Sequence, residues 1–334
     1  MEAAAYGADA SGLVCGFRFT AQGDGVAIST EEALTCVATP ASDTAFVWLH
    51  FNLSHSAALK WLQHNLRLSD VFYESLNDGS RSTRIELDDD TLVAVVNDVR
   101  YDFAFEPSDI STLWLSVGPR LVVSARLQPL LAIDRLREAV KRGSRLRTSV
   151  ALLVHLMHDQ GDVLVNILRS TSARVDDIED KLLAGRLETK RANLGALRRL
   201  LVRLQRLLAP EPAALFRLLN TPPQWIGEDD LQDLRQSTEE FNVTLSDMAA
   251  LQERIKLLQE EIAARVAEAN NRSLFVLTIV TVLALPINII AGLLGMNVGG
   301  VPLADSAYGF WVVVAIIGLF TLVAGWIAYR QSRG

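Results

Sequence analysis

The hydrophobic pattern changes character along the chain. Over residues 12–127 short apolar runs alternate with turn signals. Stretches 14–19, 45–51, 84–87, 92–96, 112–117 and 121–125 read as strands. Among them, residues 57–65 read as a helix with Ser54 and Ser56 as candidate N-caps. Asp88, Asp89 and Asp90 read as a tight, solvated turn between two strands. From Leu130 the period becomes helical. Pro129 and Gly143 bracket a helix over 130–142, and Gly185 ends a long one over 145–184. Pro210 and Pro212 stop another over 188–208. Residues 1–128 are therefore expected to form an α/β domain and 129–227 a helical region.

Residues 228–271 hold neither Pro nor Gly, and they run directly into an uncharged apolar stretch. Leu234, Phe241, Leu245, Met248, Ile255, Ile262 and Val266 keep a near-heptad register, interrupted by Thr238, Gln252 and Gln259. The pattern predicts a stalk helix over 228–273 continuing as a membrane span over 274–294. Such a helix would be about 100 Å long. A second apolar run covers 310–329. Each run is long enough for a hydrocarbon core about 30 Å thick. The loop 295–309 between them is too short for a domain, so the runs form a helical hairpin. Arg272, Arg330 and Arg333 flank the spans, and the loop carries only Asp305. This bias places both termini in the cytoplasm. Tyr308, Trp311, Trp326 and Tyr329 read as interfacial anchors.

Steps of three and four along the first span place Leu274, Thr278, Thr281, Leu285, Asn288, Gly292 and Gly295 on one face. Most of the polar or small residues of the span fall there. Asn288 costs a few kcal/mol facing lipid, so it belongs against a bundle interior or a wet cavity. Helix-to-helix adhesion by Thr and Asn is the competing structural account. Pro286 removes one backbone hydrogen bond inside the span. Two helices enclose no aqueous path alone, so a pore requires several copies around an axis.

Composition narrows the function classes. The chain has 334 residues, 50% hydrophobic and 21% charged, with a net charge of −7. Its mean hydropathy is +0.22, and the apolar excess lies in the C-terminal spans. An acidic balance argues against nucleic acid as a partner. The basic positions Lys190, Arg191, Arg198, Arg199, Arg203 and Arg206 alternate with leucines and read as the solvated face of an amphipathic helix. Cys15 and Cys36 fit buried thiols in a reducing compartment. The N-terminus shows no signal-peptide pattern. No nucleophile triad, P-loop or dinucleotide fingerprint is present, so an enzyme is not expected.

The first span ends in Gly295-Met296-Asn297, preceded by Leu285-Pro286-Ile287-Asn288-Ile289-Ile290-Ala291-Gly292. In this context the tripeptide resembles the signature of the CorA superfamily of metal ion transporters. The following loop, Val298-Gly299-Gly300-Val301-Pro302-Leu303, is similar to that of the ZntB-type zinc transporter branch. It lacks the loop glutamate of the magnesium branch and has Asp305 as its one acidic residue. The resemblance implies a pentameric funnel: an α/β cytoplasmic domain, long helices and a two-helix C-terminal transmembrane hairpin. It implies that the first spans line the pore, with Gly295, Met296 and Asn297 at its mouth and Gly299, Gly300, Pro302 and Asp305 in the external loop. It further implies Zn2+ as cargo with no resident cofactor, coupling to protons, a homopentamer, and a bacterial inner membrane as location.

His155 and His158 lie one turn apart, with Asp159 and Asp162 following, in a ligand chemistry suited to zinc. A packed helix face is the competing account, given Leu152, Leu153, Leu156 and Met157 around them. Glu228, Asp229, Asp230 and Asp233 open the stalk helix, where acidic groups complement the macrodipole. Cation sensing there is a second possibility. Alternative functions for the chain are a magnesium or cobalt channel on the same scaffold, or a membrane-anchored sensor that conducts nothing.

Overall fold

The computed structural model describes residues 7–39, 43–77, 83–102, 104, 109–184, 191–296 and 307–331. The chain divides into two compact units, Met1–Gln259 and Glu260–Gly334.

The described part of the first unit is built on a seven-stranded sheet. Its strands are β1 (Leu13–Thr20), β2 (Gly25–Ala27), β3 (Thr44–Asn52), β4 (Arg84–Asp88), β5 (Thr91–Val99), β6 (Ile110–Val117) and β7 (Leu121–Arg126). Their order is β2-β1-β3-β7-β6-β5-β4. The central β3–β7 pair is parallel and the other pairs are antiparallel. Helices α1 (Thr30–Ala38), α2 (Ala58–Asn65), α3 (Asp70–Asn77), α4 (Leu131–Lys141), α5 (Ser149–Leu183), α6 (Arg191–Leu208), α7 (Pro210–Asn220), α8 (Glu228–Leu294) and α9 (Gly309–Gln331) complete the described elements.

The inner strands are apolar on both faces because both faces are covered. In β3, Phe46 and Trp48 enter one core, while Val47, Leu49 and Phe51 enter the other. In β5, Ala94 and Val96 alternate with Val93 and Val95 in the same way. The first face is covered by Ile133 and Leu136 of α4, Leu152 and Leu156 of α5, and Leu215 of α7. The second is covered by Ala33 of α1, Leu62 of α2 and Phe72 of α3. Each fully buried side chain of this kind contributes about 1.5–3 kcal/mol relative to exposure.

The six strand stretches expected from the pattern lie within β1, β3, β4, β5, β6 and β7. The Asp88 turn is a hairpin: Asp88 pairs with Thr91, and Asp89 takes a φ of 49°. Differences occur where the sequence signals were local. The expected Ser54 and Ser56 caps of α2 are not used. Ala57 is its N-cap with no side-chain bond, and the Ser54 hydroxyl donates to the Leu127 carbonyl at 2.7 Å. Strand β2 and helices α1 and α3 were not anticipated. Helix α1 carries a capping box in which Glu32 N–H donates to Ser29 Oγ at 3.2 Å and Ser29 N–H to Glu32 Oε2 at 2.7 Å. Pro210 does more than end α6: it occupies the first turn of α7, where its missing N–H costs nothing.

Within the first unit, Leu234, Phe241, Leu245, Met248 and Ile255 of α8 are buried in the anticipated register. Thr238 is buried among them, and its hydroxyl donates to the Leu234 carbonyl at 2.6 Å. Arg254 of α8 reaches α5, pairing with Asp176 at 2.7 Å and Glu179 at 2.5 Å.

The second unit holds the rest of α8, and α9. Both contain windows long and apolar enough to cross a membrane, with mean hydropathies of 2.5 and 2.4 and no buried residue. At the end of α9 the Arg330 guanidinium lies 5.5 Å from the Trp326 ring centroid, an arrangement suited to an interface.

Candidate functional site

Helix α8 carries all six candidate pore-lining residues. At about 100° per residue, Leu274, Thr278, Thr281, Leu285, Asn288 and Gly292 fall within one sector of its surface. All six are exposed in the single chain. The Thr278 hydroxyl donates to the Leu274 carbonyl at 2.8 Å, and Thr281 to Leu277 at 2.9 Å. Each hydroxyl proton is thus spent on the helix, and the oxygen lone pairs remain as acceptors. Asn288 adds an amide carbonyl on the same face. The face is uncharged, with side-chain oxygens at Thr278, Thr281 and Asn288 between the apolar Leu274 and Leu285 and the bare Gly292.

The helix ends at Leu294 despite the internal Pro286. Gly295 N–H still reaches the Ala291 carbonyl at 2.9 Å. A Cβ at Gly295 would sit 3.1 Å from that carbonyl oxygen, so the glycine keeps the helix end tight. Met296 is exposed. Asn297, Gly299, Gly300, Pro302 and Asp305 lie outside the described residues.

The candidate metal trio in α5 is not gathered into one ligand set. His155 Nε2 lies 3.6 Å from Asp159 Oδ2, one helical turn on. His158 Nδ1 turns to Glu240 Oε2 of α8, at 3.5 Å. The step from 155 to 158 falls short of a full turn, so the two imidazoles diverge. Among the described residues no three His, Cys, Asp or Glu side chains gather as a metal site. Asp230, from the acidic start of α8, accepts a hydrogen bond from Thr148 Oγ1 at 2.8 Å. The same Thr148 oxygen caps α5 by accepting from Ala151 N–H at 2.9 Å. This aspartate therefore ties two helix starts together.

The pattern did not reveal a buried polar cluster under the sheet. Asp98 accepts from Val99 N–H at 2.7 Å and from Ala132 N–H at 3.0 Å, which places its carboxyl at the start of α4. Gln160 of α5 donates to the Asn97 carbonyl at 2.7 Å and to Glu211 Oε2 of α7 at 3.3 Å. Burial pushes the Asp98 carboxyl up to about 7 and the Glu211 carboxyl up to about 8. On the same face of the sheet, His50 Nδ1 and Trp48 Nε1 each lie 2.8 Å from Ser124 Oγ, and Arg126 Nε donates to His50 Nε2 at 3.0 Å. Burial first, then the Arg126 charge, hold His50 well below its usual range, so it is neutral. No local sequence signal marks these groups, since their burial depends on which helices meet.

The family described as "CorA-like Mg2+ transporter protein" matches residues 43–330. The "Divalent cation transporter CmaX" of Pseudomonas aeruginosa is 28% identical over 97% of both chains. The "Zinc transport protein ZntB" of Yersinia pseudotuberculosis is 24% identical over 87% of this chain and 89% of its own. The solved full-length CmaX structure superposes with a TM-score of 0.81 at 28% identity, covering 98% of this chain and 99% of its own.

Proposed function

The chain belongs to the family of CorA-like Mg2+ transporter proteins, which move divalent cations across membranes, and we propose that its principal cargo is zinc. The observation that supports passage of a hydrated dication is the uncharged face of α8 between Leu274 and Gly292, which carries the Thr278, Thr281 and Asn288 oxygens. A dication holds its water shell strongly, and zinc is stripped mainly by imidazole, thiolate or carboxylate ligands. Thr278, Thr281 and Asn288 supply none of these. They accept hydrogen bonds from the water shell, and such weak, repeated contacts let an ion enter and leave. Zinc is preferred to magnesium on the loop after Asn297, where Gly299, Gly300 and Pro302 stand without the magnesium-branch glutamate and Asp305 is the one carboxylate. Relatives named for zinc transport support the same choice.

In this reading five copies surround an axis lined by Leu274, Thr278, Thr281, Leu285, Asn288 and Gly292. Gly295, Met296 and Asn297 form the outer mouth. The location is a bacterial inner membrane, with both termini on the cytoplasmic side, as Arg272, Arg330 and Arg333 direct. Transport is coupled to protons.

The test is zinc flux into liposomes containing the purified protein and an internal zinc-sensitive dye, with and without a pH gradient. Flux that exceeds empty liposomes and rises with an inward proton gradient is expected. Flux indifferent to the gradient removes proton coupling. Preference for magnesium or cobalt in competition replaces zinc as cargo. No flux of any dication leaves a membrane-anchored sensor.

A further inference from the structure

A second candidate site lies within the first unit. Arg198, Arg199, Arg203 and Arg206 of α6 line one groove together with Thr83 and Gln259, around a cavity of 1090 Å³. Successive steps of one, four and three residues keep the four guanidiniums on one side of α6. The inner side of that helix is anchored by the buried Leu194, Leu197, Leu201, Leu204 and Leu208. The arginine face is therefore held in place by the core.

Among the described residues the groove has no carboxylate in its lining. Among the described residues none of its four arginines forms an ion pair. Arg254, by contrast, is held by two acidic partners on α5. Four like charges along one groove repel one another, and this happens in a chain whose net charge is −7. A solvated helix face explains a stripe of arginines. It gives no reason for gathering four of them around one concavity. Guanidiniums bind phosphate oxygens in pairs of parallel hydrogen bonds, and the Gln259 amide adds a neutral donor. Val202, Leu207 and Pro210 give the same groove an apolar wall. Its volume is ample for a small ligand with both a charged and a flat apolar part.

We propose that this groove binds a phosphate-rich small anion of the nucleoside polyphosphate class. The claim is independent of which dication the spans carry. The proposal is of binding alone, and the sequence holds no P-loop pattern.

The test is calorimetric titration of the full-length protein in detergent with ATP, pyrophosphate and adenosine, without added divalent metal, at low salt. Saturable ATP binding is expected, weakened by added salt and about tenfold tighter than pyrophosphate, with none for adenosine. The double variant Arg199→Glu/Arg203→Glu should lose ATP binding by at least about tenfold while its melting temperature stays near that of the parent. The single variant Arg203→Ala, a milder change, should weaken ATP binding by a smaller factor. Absence of ATP binding in the parent overturns the proposal, as does binding that the variants leave unchanged. Pyrophosphate binding as tight as ATP overturns the nucleoside class. A double variant that changes the assembly mass, in a protein that binds no ATP, assigns the groove to an acidic face of a second copy.

Discussion

At the scale of single residues, the informative groups are those whose charge state the fold controls. Glu211 stands between two prolines and is buried against Gln160 of α5. Its carboxyl is raised to about 8, and Asp98, also buried, to about 7. The unfolded chain releases these protons near pH 4. Between that pH and 7–8 the folded state therefore holds protons that the unfolded state has lost. Stability contributed by these groups is present at low pH and falls as pH rises through this window. A neutral isostere removes the dependence while keeping the acceptor for Gln160. Glu211→Gln is expected to raise the melting temperature at pH 8 by about 2–4 °C, corresponding to on the order of 1 kcal/mol. It should also flatten the decline expected of the parent between pH 5 and 8, both read by thermal unfolding of the detergent-solubilised chain. A parallel decline in the variant would mean that Glu211 is already ionised in the folded protein.

At the scale of elements, legibility follows how far each signal reaches. Strands β3 and β5 were readable because covering both faces demands a continuous apolar run. Strand β2 has three residues, one of them Gly25, and presents no period to detect. Helix α1 buries only Ala33, so its apolar stripe is faint, although Ser29 and Glu32 spelled its capping box. Pro210 and Pro212 are stop signals for α6 and start signals for α7, and local pattern cannot separate the two roles. The α8 face was legible because Thr278, Thr281 and Asn288 stand out against an apolar background. The α5 trio misled because i, i+3 spacing brings residues near one another without aiming His158 away from Glu240. The α6 arginines were visible as a stripe, but their groove needed Thr83 and Gln259, distant in sequence.

The α8 face also supports an element-scale expectation. Asn288→Leu removes the amide without shortening the helix. Thr281→Val removes the hydroxyl oxygen but preserves the branched shape. A hydrogen bond to the polarised water shell of the ion contributes about 1.5 kcal/mol at most, which is about tenfold in rate. Each variant is expected to lower zinc flux in liposomes by about that factor, with the assembly mass unchanged. Normal flux in both would move the conduction path to another face. A changed mass would assign these residues to helix adhesion.

At the scale of the molecule, the decisive fact is what one chain leaves uncovered. Both span windows lack buried residues, and Thr278, Thr281 and Asn288 are exposed with them. A bilayer accepts Leu277 or Ile289 but not a face bearing these oxygens, whose hydration must come from water or from polar groups on neighbours. The two demands are met together when copies of α8 turn that face inward around a closed ring and leave the apolar faces to lipid. A dimer would press the faces together and leave no aqueous path. A closed ring needs at least three copies, and the proposed pentamer predicts five times the 36.7 kDa chain mass in native mass spectrometry of the detergent-extracted protein. Cysteine introduced in place of Thr281, reacted in membranes, should accept a small hydrophilic thiol reagent. A monomeric or dimeric mass, or a Thr281→Cys site that only lipid-soluble reagents reach, would place the polar face outside any pore. Cation movement through this chain would then need another route.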